Sequence, residues 1–439
     1  MAKHARTAPR TALTGRILAV AAVALATAGA GAFALSQQPS GGTVAAPPSS
    51  PAEVVEGATS PEPTATPTPT PSPTPSPMPT PDSELTIVAT GDLLPHMSVN
   101  ASARDGSGYD FGPLLSPLDE WVAGADLALC HMEVPLVPEG RGPSGYPVFG
   151  APRELAQNLA DQGWDGCSTA SNHSVDLGFH GVESTLDLFD AAGLGHVGTA
   201  RSEAEGAAPQ LYELERHGRT TTIAHLAATY GTNGMPVDSD KPWSVQLIDT
   251  DQIVEQATAA RDDGADLVLV SIHCCVEYQT APTDLQLELG QTLADSGVVD
   301  LVIGHHAHVP QPLARLEGGP DGEGMWIAYG LGNFLSNQDG NCCSARTDSG
   351  IWLTAHVLHP DDGPAHVTGV EWTAVTVDRL GKHRVSALAE IADGAGSLSV
   401  SQVAARHERV AEAAGDEAPE RTEPTESTGP PPAVVPRPR

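Results

Sequence analysis

Positive charge is scarce in this chain of 439 residues: 22 Lys and Arg stand against 55 Asp and Glu, a formal net charge of −33. Nucleic-acid backbones are held by clustered basic side chains, so a nucleic-acid partner is excluded. No cysteine precedes Cys130, which rules out a lipid-modified N-terminal cysteine, and no Arg-Arg pair marks twin-arginine export. The six cysteines include no CxxC spacing, so a thiolate zinc site lacks support. What is present is enough apolar material, 40% of the residues, for one large or two ordinary domains with a core.

The two ends read differently from the middle. Lys3, Arg6, Arg10 and Arg16 precede the apolar run Ile17–Leu35, the pattern of an export signal. That run is long enough to span a bilayer, yet Ala32-Phe33-Ala34 is also a small-residue cleavage pattern, so residues 1–36 are expected as a signal anchor or a cleaved signal peptide. Either way the bulk of the chain is expected outside the cytoplasm, membrane-anchored or secreted. Residues 37–84, rich in Pro, Thr and Ser, are expected as a disordered spacer, a wall-spanning stalk or a plain linker. Residues 406–439, rich in Pro and Glu, are expected as a disordered tail, which leaves 85–405 as the folded domain.

Within that domain short apolar runs alternate with amphipathic segments. Strands are expected at Leu85–Ala89, Asp126–Leu129, Gly166–Thr169, Asp266–Ile272, Asp300–Ile303, Trp326–Tyr329 and Ile351–Val357. Helices are expected at Arg153–Gln162, Gly181–Ala192, Thr250–Asp262 and Asp284–Ser296, the last covering a sheet with Leu285, Leu289 and Leu293. The alternation specifies an α/β fold.

Polar residues gather where the strands end. Asp92 and His96 follow the first strand, His131 and Glu133 the second, Asn172, His173 and Asp176 the third, His273 the fourth, and His305, His306 and His308 the fifth. Carboxyl ends of strands are where α/β sites assemble, and Asp, Glu, Asn and His together suit a pair of divalent metal ions. Singly, each has a plainer explanation: Asp92 or Asn172 as a turn cap, Glu277 as a surface salt link rather than a carboxylate orienting a ligand histidine. The histidines 131, 180, 196, 225 and 305 exceed what such a site needs and are set aside as ligands.

The ordered segments GDLLPH, DLALCHMEVPL, STASNHSVDLGFHGVESTLDLFDAAGLGHVGT, VSIHCCVEYQTAPT, DLVIGHHAHVPQPL and AYGLGNFLSNQ, within Leu85–Gln338, resemble the CapA family of poly-γ-glutamate capsule synthesis proteins. The resemblance implies a metallophosphoesterase-like sandwich of two mixed β-sheets flanked by helices. It also implies a two-metal site of Asp92, Glu133, Asn172, His273, His306 and His308. Phosphoesterases of this fold carry a histidine where this chain has Leu94, and His96 is the nearest substitute. His173 takes the place of a general acid, and Asp176 is positioned to hold its tautomer. Export implies disulfides; the resemblance brings the doublets Cys274-Cys275 and Cys342-Cys343 to one rim, so a bridge between them is expected, with Cys130 and Cys167 as a further pair. Two function classes follow. One is a metal-dependent hydrolase acting on an anionic envelope polymer; the other is a non-catalytic polymer-binding or scaffold subunit beside membrane synthase subunits.

Overall fold

A computed structural model describes residues 81–439. The expectations for residues 1–36, and for the spacer up to residue 80, lie outside the described residues. In chain order the first strands are β1 (Ser83–Leu93), a small hairpin of β2 (Arg104–Asp105) and β3 (Gly108–Tyr109), β4 (Leu127–Met132), β5 (Gly166–Ser168) and β6 (Gly195–Val197). There follow β7 (Gln210–Arg216), β8 (Arg219–Thr229), β9 (Leu267–His273), β10 (Leu301–His305), β11 (Leu313–Leu316) and β12 (Met325–Ala328). The last are β13 (Asn333–Leu335), β14 (Ser349–His359), β15 (His366–Asp378), β16 (Arg384–Ala387) and β17 (Ala433–Val435).

Two large mixed sheets result. One runs β16-β15-β14-β1-β4-β5-β6 with β13 beside β1, and the other runs β11-β12-β10-β9-β8-β7-β17. Their shared core follows from period-two alternation. Leu85, Ile87, Leu127 and Leu129 of the first sheet meet Ile223, Leu267, Leu269, Leu301 and Ile303 of the second. The intervening residues Val268, Val270 and Val302 face outward under the helices Thr250–Asp262 and Asp284–Asp295. The second of these helices starts at a reciprocal cap between Thr283 and Gln286 and buries Leu289 and Leu293, whereas Leu285 is exposed and covers nothing. The observed sandwich of mixed sheets with flanking helices is the expected fold class.

The same alternation, continued past the leucines, places His131, His225, Ser271, His273 and His305 on the inner faces, all buried. Asp92 joins them through a bulge. Ala89 pairs with Leu129 and Asp92 with His131, so β1 spends one residue more than β4 over this interval and turns Asp92 inward. The bulge needs close backbone contact: the Asp92 N–H donates to the Gly332 carbonyl at 2.8 Å, and a Cβ on Gly91 would lie 1.9 Å from that oxygen.

Two expectations are corrected here. Residues 406–439 are not a disordered tail: a helix continues to Ala414, and the chain then runs as a strap along both sheets. Its backbone pairs with Trp372 through Pro419 and Arg421. Ser427 and Thr428 then bond Asp126, β17 closes the edge of β7, and Arg437 donates to the carbonyls of His196, Thr199 and Glu205. Composition missed this because, past the helix whose Val410 and Ala414 join the shared core, the strap adds only Ala418 and Val434 to that core and is otherwise held by its backbone and polar contacts to the body. The cysteines also pair differently. Cys130 and Cys167 are joined across the β4–β5 ladder. Cys274 is bonded to Cys275 and Cys342 to Cys343, in place of the expected bridge between doublets. Cys274 is buried in the helix-covered cluster outside the second sheet, whereas Cys342 is exposed beyond β13.

Candidate metal centre

Each strand end contributes at a short distance from the others. Among the described residues three donor groups form, in each of which one ligand atom per residue lies within 4.8 Å of the others: Asp92 with His131 and His273; Asp92 with Glu133 and His308; and Glu277 with His306 and His308. The Nδ1 of His308 lies 2.9 Å from Asp92 Oδ2, and its Nε2 lies 3.6 Å from Glu133 Oε1. His273 Nε2 is 2.8 Å from Asn172 Oδ1 and 4.0 Å from Glu133 Oε1. His306 and His308 both take left-handed backbone angles, φ 83° and 57°, a conformation side chains rarely adopt, as the loop after β10 folds back over the site.

Beside these donors His173 Nδ1 lies 2.7 Å from Asp176 Oδ2, and the same carboxylate oxygen accepts the Phe149 N–H. Asp176 thereby holds the proton on Nδ1 and leaves Nε2 facing the loop residue Asn233, 3.5 Å away. Asn233, itself left-handed, also receives a bond from the Asn172 amide at 3.3 Å. Phe149 packs edge-on against both His173 and His96.

Electrostatics separates the two carboxylates. Burial opposes charge on Asp92, but His305 and His308 outweigh it and hold the carboxyl well below its usual range. Burial pushes Glu133 well above its usual range against the pull of His308. Burial also pulls His308 down, yet Glu133 and Asp92 lift it to about 9. His273 and His131 are held well below the ordinary histidine value by burial and by neighbouring imidazoles.

These residues fit a divalent cation. Both oxygens of Glu133, Nδ1 of His306 and both ring nitrogens of His305 are buried without a hydrogen-bond partner. Leaving acceptors dry in this way is costly unless a cation satisfies them, and mixed carboxylate, amide and imidazole donors suit a borderline divalent ion.

Of the residues expected at the site, Asp92, Glu133, Asn172, His273, His306 and His308 come together, with His173 and Asp176 beside them. His96 does not join the donor groups: its Nδ1 lies 2.9 Å from the Leu94 carbonyl, to which it can donate, and 3.3 Å from the Asn337 nitrogen. His131 and His305, set aside as ligands, sit inside the cluster; their signal was strand parity, two residues beyond inner-face Leu129 and Ile303. Asn233 had no sequence signal, because the strand preceding its loop was not expected.

A family model described as "Bacterial capsule synthesis protein PGA_cap" matches residues 86–338. The "PGA biosynthesis protein CapA" of Bacillus subtilis (strain 168) is 28% identical over 220 residues, 50% of this chain and 54% of that protein. The "Capsule biosynthesis protein CapA" of Bacillus anthracis is 27% identical over 267 residues, 58% of this chain and 61% of that protein. The matches thus span between about half and three fifths of these relatives. Among solved structures, the NAD nucleotidase (NadN) of Haemophilus influenzae is 11% identical with a TM-score of 0.39, covering 70% of this chain and 60% of that one.

Proposed function

Because this chain belongs to the bacterial capsule synthesis protein PGA_cap family, we propose that it serves capsule-polymer biosynthesis at the cell envelope as a divalent-metal-dependent hydrolase. The observation that carries the reading is the cluster of buried carboxylates and imidazoles on strand ends of both sheets, in which both Glu133 oxygens and His306 Nδ1 have no hydrogen-bond partner. Asp92, Glu133, Asn172, His273, His306 and His308 would hold the ions. When bound, such ions supply a water of lowered pKa and positive charge to stabilise a developing oxyanion.

The chain's own residues do the rest. Asp176 accepts the Nδ1–H of His173 and turns Nε2 to the open side, so that the doubly protonated ring, its charge balanced by Asp176, gives its Nε2 proton to the leaving group of a phosphoryl or acyl centre and is left as the neutral Nδ1–H form. The names of the relatives, PGA and capsule biosynthesis, support poly-γ-glutamate or a related anionic polymer as the substrate class. A surface of net charge −33 repels such a polymer, so attraction must come from cations bound at the site. An N-terminal anchor or export signal delivers the domain to the outside, beside membrane synthase subunits.

The test compares Asp92→Ala and His306→Ala with the wild type. Metal content after dialysis, hydrolysis of generic phosphodiester and amide substrates, and polymer output of cells carrying each variant are measured together. Joint loss of metal, hydrolysis and polymer supports the proposal. Full polymer output from metal-free variants would make the site dispensable and favour a scaffold role.

A further inference from the structure

His273 uses both of its ring nitrogens. Nε2 faces Asn172 Oδ1 at 2.8 Å, and Nδ1 faces His131 Nε2 at 2.9 Å. The other nitrogen of His131, Nδ1, lies 2.7 Å from the hydroxyl of Ser168. All four side chains are buried. His131 therefore has no free nitrogen, in contrast to His305, which stacks on it at 3.9 Å with neither nitrogen hydrogen-bonded and Nδ1 3.6 Å from Asp92 Oδ1.

The order of donors along this line follows from what each group can do. The Asn172 amide nitrogen faces Asn233, so its oxygen is the atom turned to His273, and that oxygen only accepts. His273 accordingly carries its proton on Nε2, Nδ1 accepts from His131 Nε2–H, and His131 Nδ1 accepts the Ser168 hydroxyl. A cation taken up between Asn172 and His273 requires the Nε2 lone pair, so the proton must sit on Nδ1 instead. This is possible in a dry interior only if the group facing Nδ1 can change from donor to acceptor. A histidine can do this by moving its own proton to the far nitrogen, and Ser168 can turn its hydroxyl from donor to acceptor in response.

We propose that His131, backed by Ser168, is a positioning residue whose tautomer switches together with that of His273 and so sets the metal affinity of the site. The proposal rests on the metal-site reading above. The proton count is unchanged: each imidazole exchanges one Nε2–H for one Nδ1–H, and Ser168 keeps its hydroxyl proton. Partners of this kind on a ligand histidine are worth about 10- to 100-fold in metal affinity. The rival role for His131 is a direct ligand, since its Nε2 is also 4.0 Å from Asp92 Oδ1.

The experiment uses the exported protein, labelled with ¹⁵N in histidine, and zinc ion alone as the probe. Long-range ¹H–¹⁵N spectra with and without zinc read each tautomer, and competition with a chromophoric chelator reads affinity. Zinc is expected to move both His131 and His273 from Nε2–H to Nδ1–H. His131→Ala is expected to weaken zinc binding about 10- to 100-fold; His131→Gln, which retains an acceptor, recovers part of the loss, and Ser168→Ala shows a smaller loss. Unchanged affinity in His131→Ala, or a His131 tautomer that ignores zinc, overturns the relay. A metal-coordination shift on a His131 nitrogen makes it a ligand and also overturns it. The wild-type spectrum decides even if a variant fails to fold. A wild type that binds no zinc removes the metal-site reading itself.

Discussion

Replacing His173 with alanine should separate proton transfer from metal binding. His173 is absent from the three donor groups and bonds Asp176, so bound metal should be retained while turnover falls about 10²- to 10⁴-fold. Asp176→Asn should give a smaller loss at equal metal content, because the tautomer is no longer held. Loss of metal in His173→Ala would make it a ligand. A second residue-scale prediction concerns Gly91: alanine there meets the Gly332 carbonyl, so the bulge that aims Asp92 must shift, and both melting temperature and metal content should fall. That Asp92, Glu133, Asn172, His273, His306 and His308 gather was legible because successive apolar runs each give way to a carboxylate, amide or imidazole, although any one of them alone also fits a turn cap or a salt link. His131 was not, because its meaning depends on which face of β4 it occupies and on the opposite sheet bringing His273 to it. His96 was assigned by analogy to a vacated position, and the local turn ties its ring to backbone instead.

The strap shows what composition hides. Its anchor is Asp126, whose Oδ1 takes bonds from Arg216 at 2.7 Å and from the Thr428 backbone at 2.7 Å. Burial would raise this carboxyl, but Arg216, Thr428 and Thr86 outweigh it and lower the pKa from 3.8. A lowered carboxyl contributes stability above its unfolded value, and that contribution is lost as pH falls through the folded one. Asp126→Ala leaves Arg216 buried and unpaired, so it should cost about 3–5 kcal/mol near neutral pH. The gap between variant and wild type should narrow as pH falls below 3.8. Urea titrations at several pH values check this; a gap independent of pH would remove the electrostatic account. Strands with a continuous apolar run, such as β9 and β10, were legible, whereas β7 was missed because Glu213 and Glu215 interrupt it on the outer face, and β8 because it opens on Arg219 and three threonines before its buried run. The strap resists composition-based assignment for a related reason: its order comes from contacts with residues some 300 positions earlier, such as Gly124 and Asp126.

At the scale of the whole molecule, charge predicts behaviour toward polyanions. With a net charge of −33, binding of an anionic polymer should be weak in a chelator and strengthen when divalent cation is added, a dependence that sedimentation or light scattering can follow. Tight binding in chelator would relocate recognition away from the metal centre. Among the described residues no helix is long and apolar enough to cross a membrane, so exposure of the domain is tested directly: protease added to intact cells should degrade it. The position of β1 bears on how the domain meets mechanical load. Any tension from the chain before Ser83 enters at a strand in the middle of its sheet, paired to β14 from Ser83 opposite His359 through Thr90 opposite Trp352 and flanked by β4 on its other side. A pull along that axis loads the ladder bonds in shear, many at once, instead of peeling them singly from an edge. The Asp92 bulge lies at the far end of the same strand, so the metal centre would be among the last parts of β1 to feel a tether under strain.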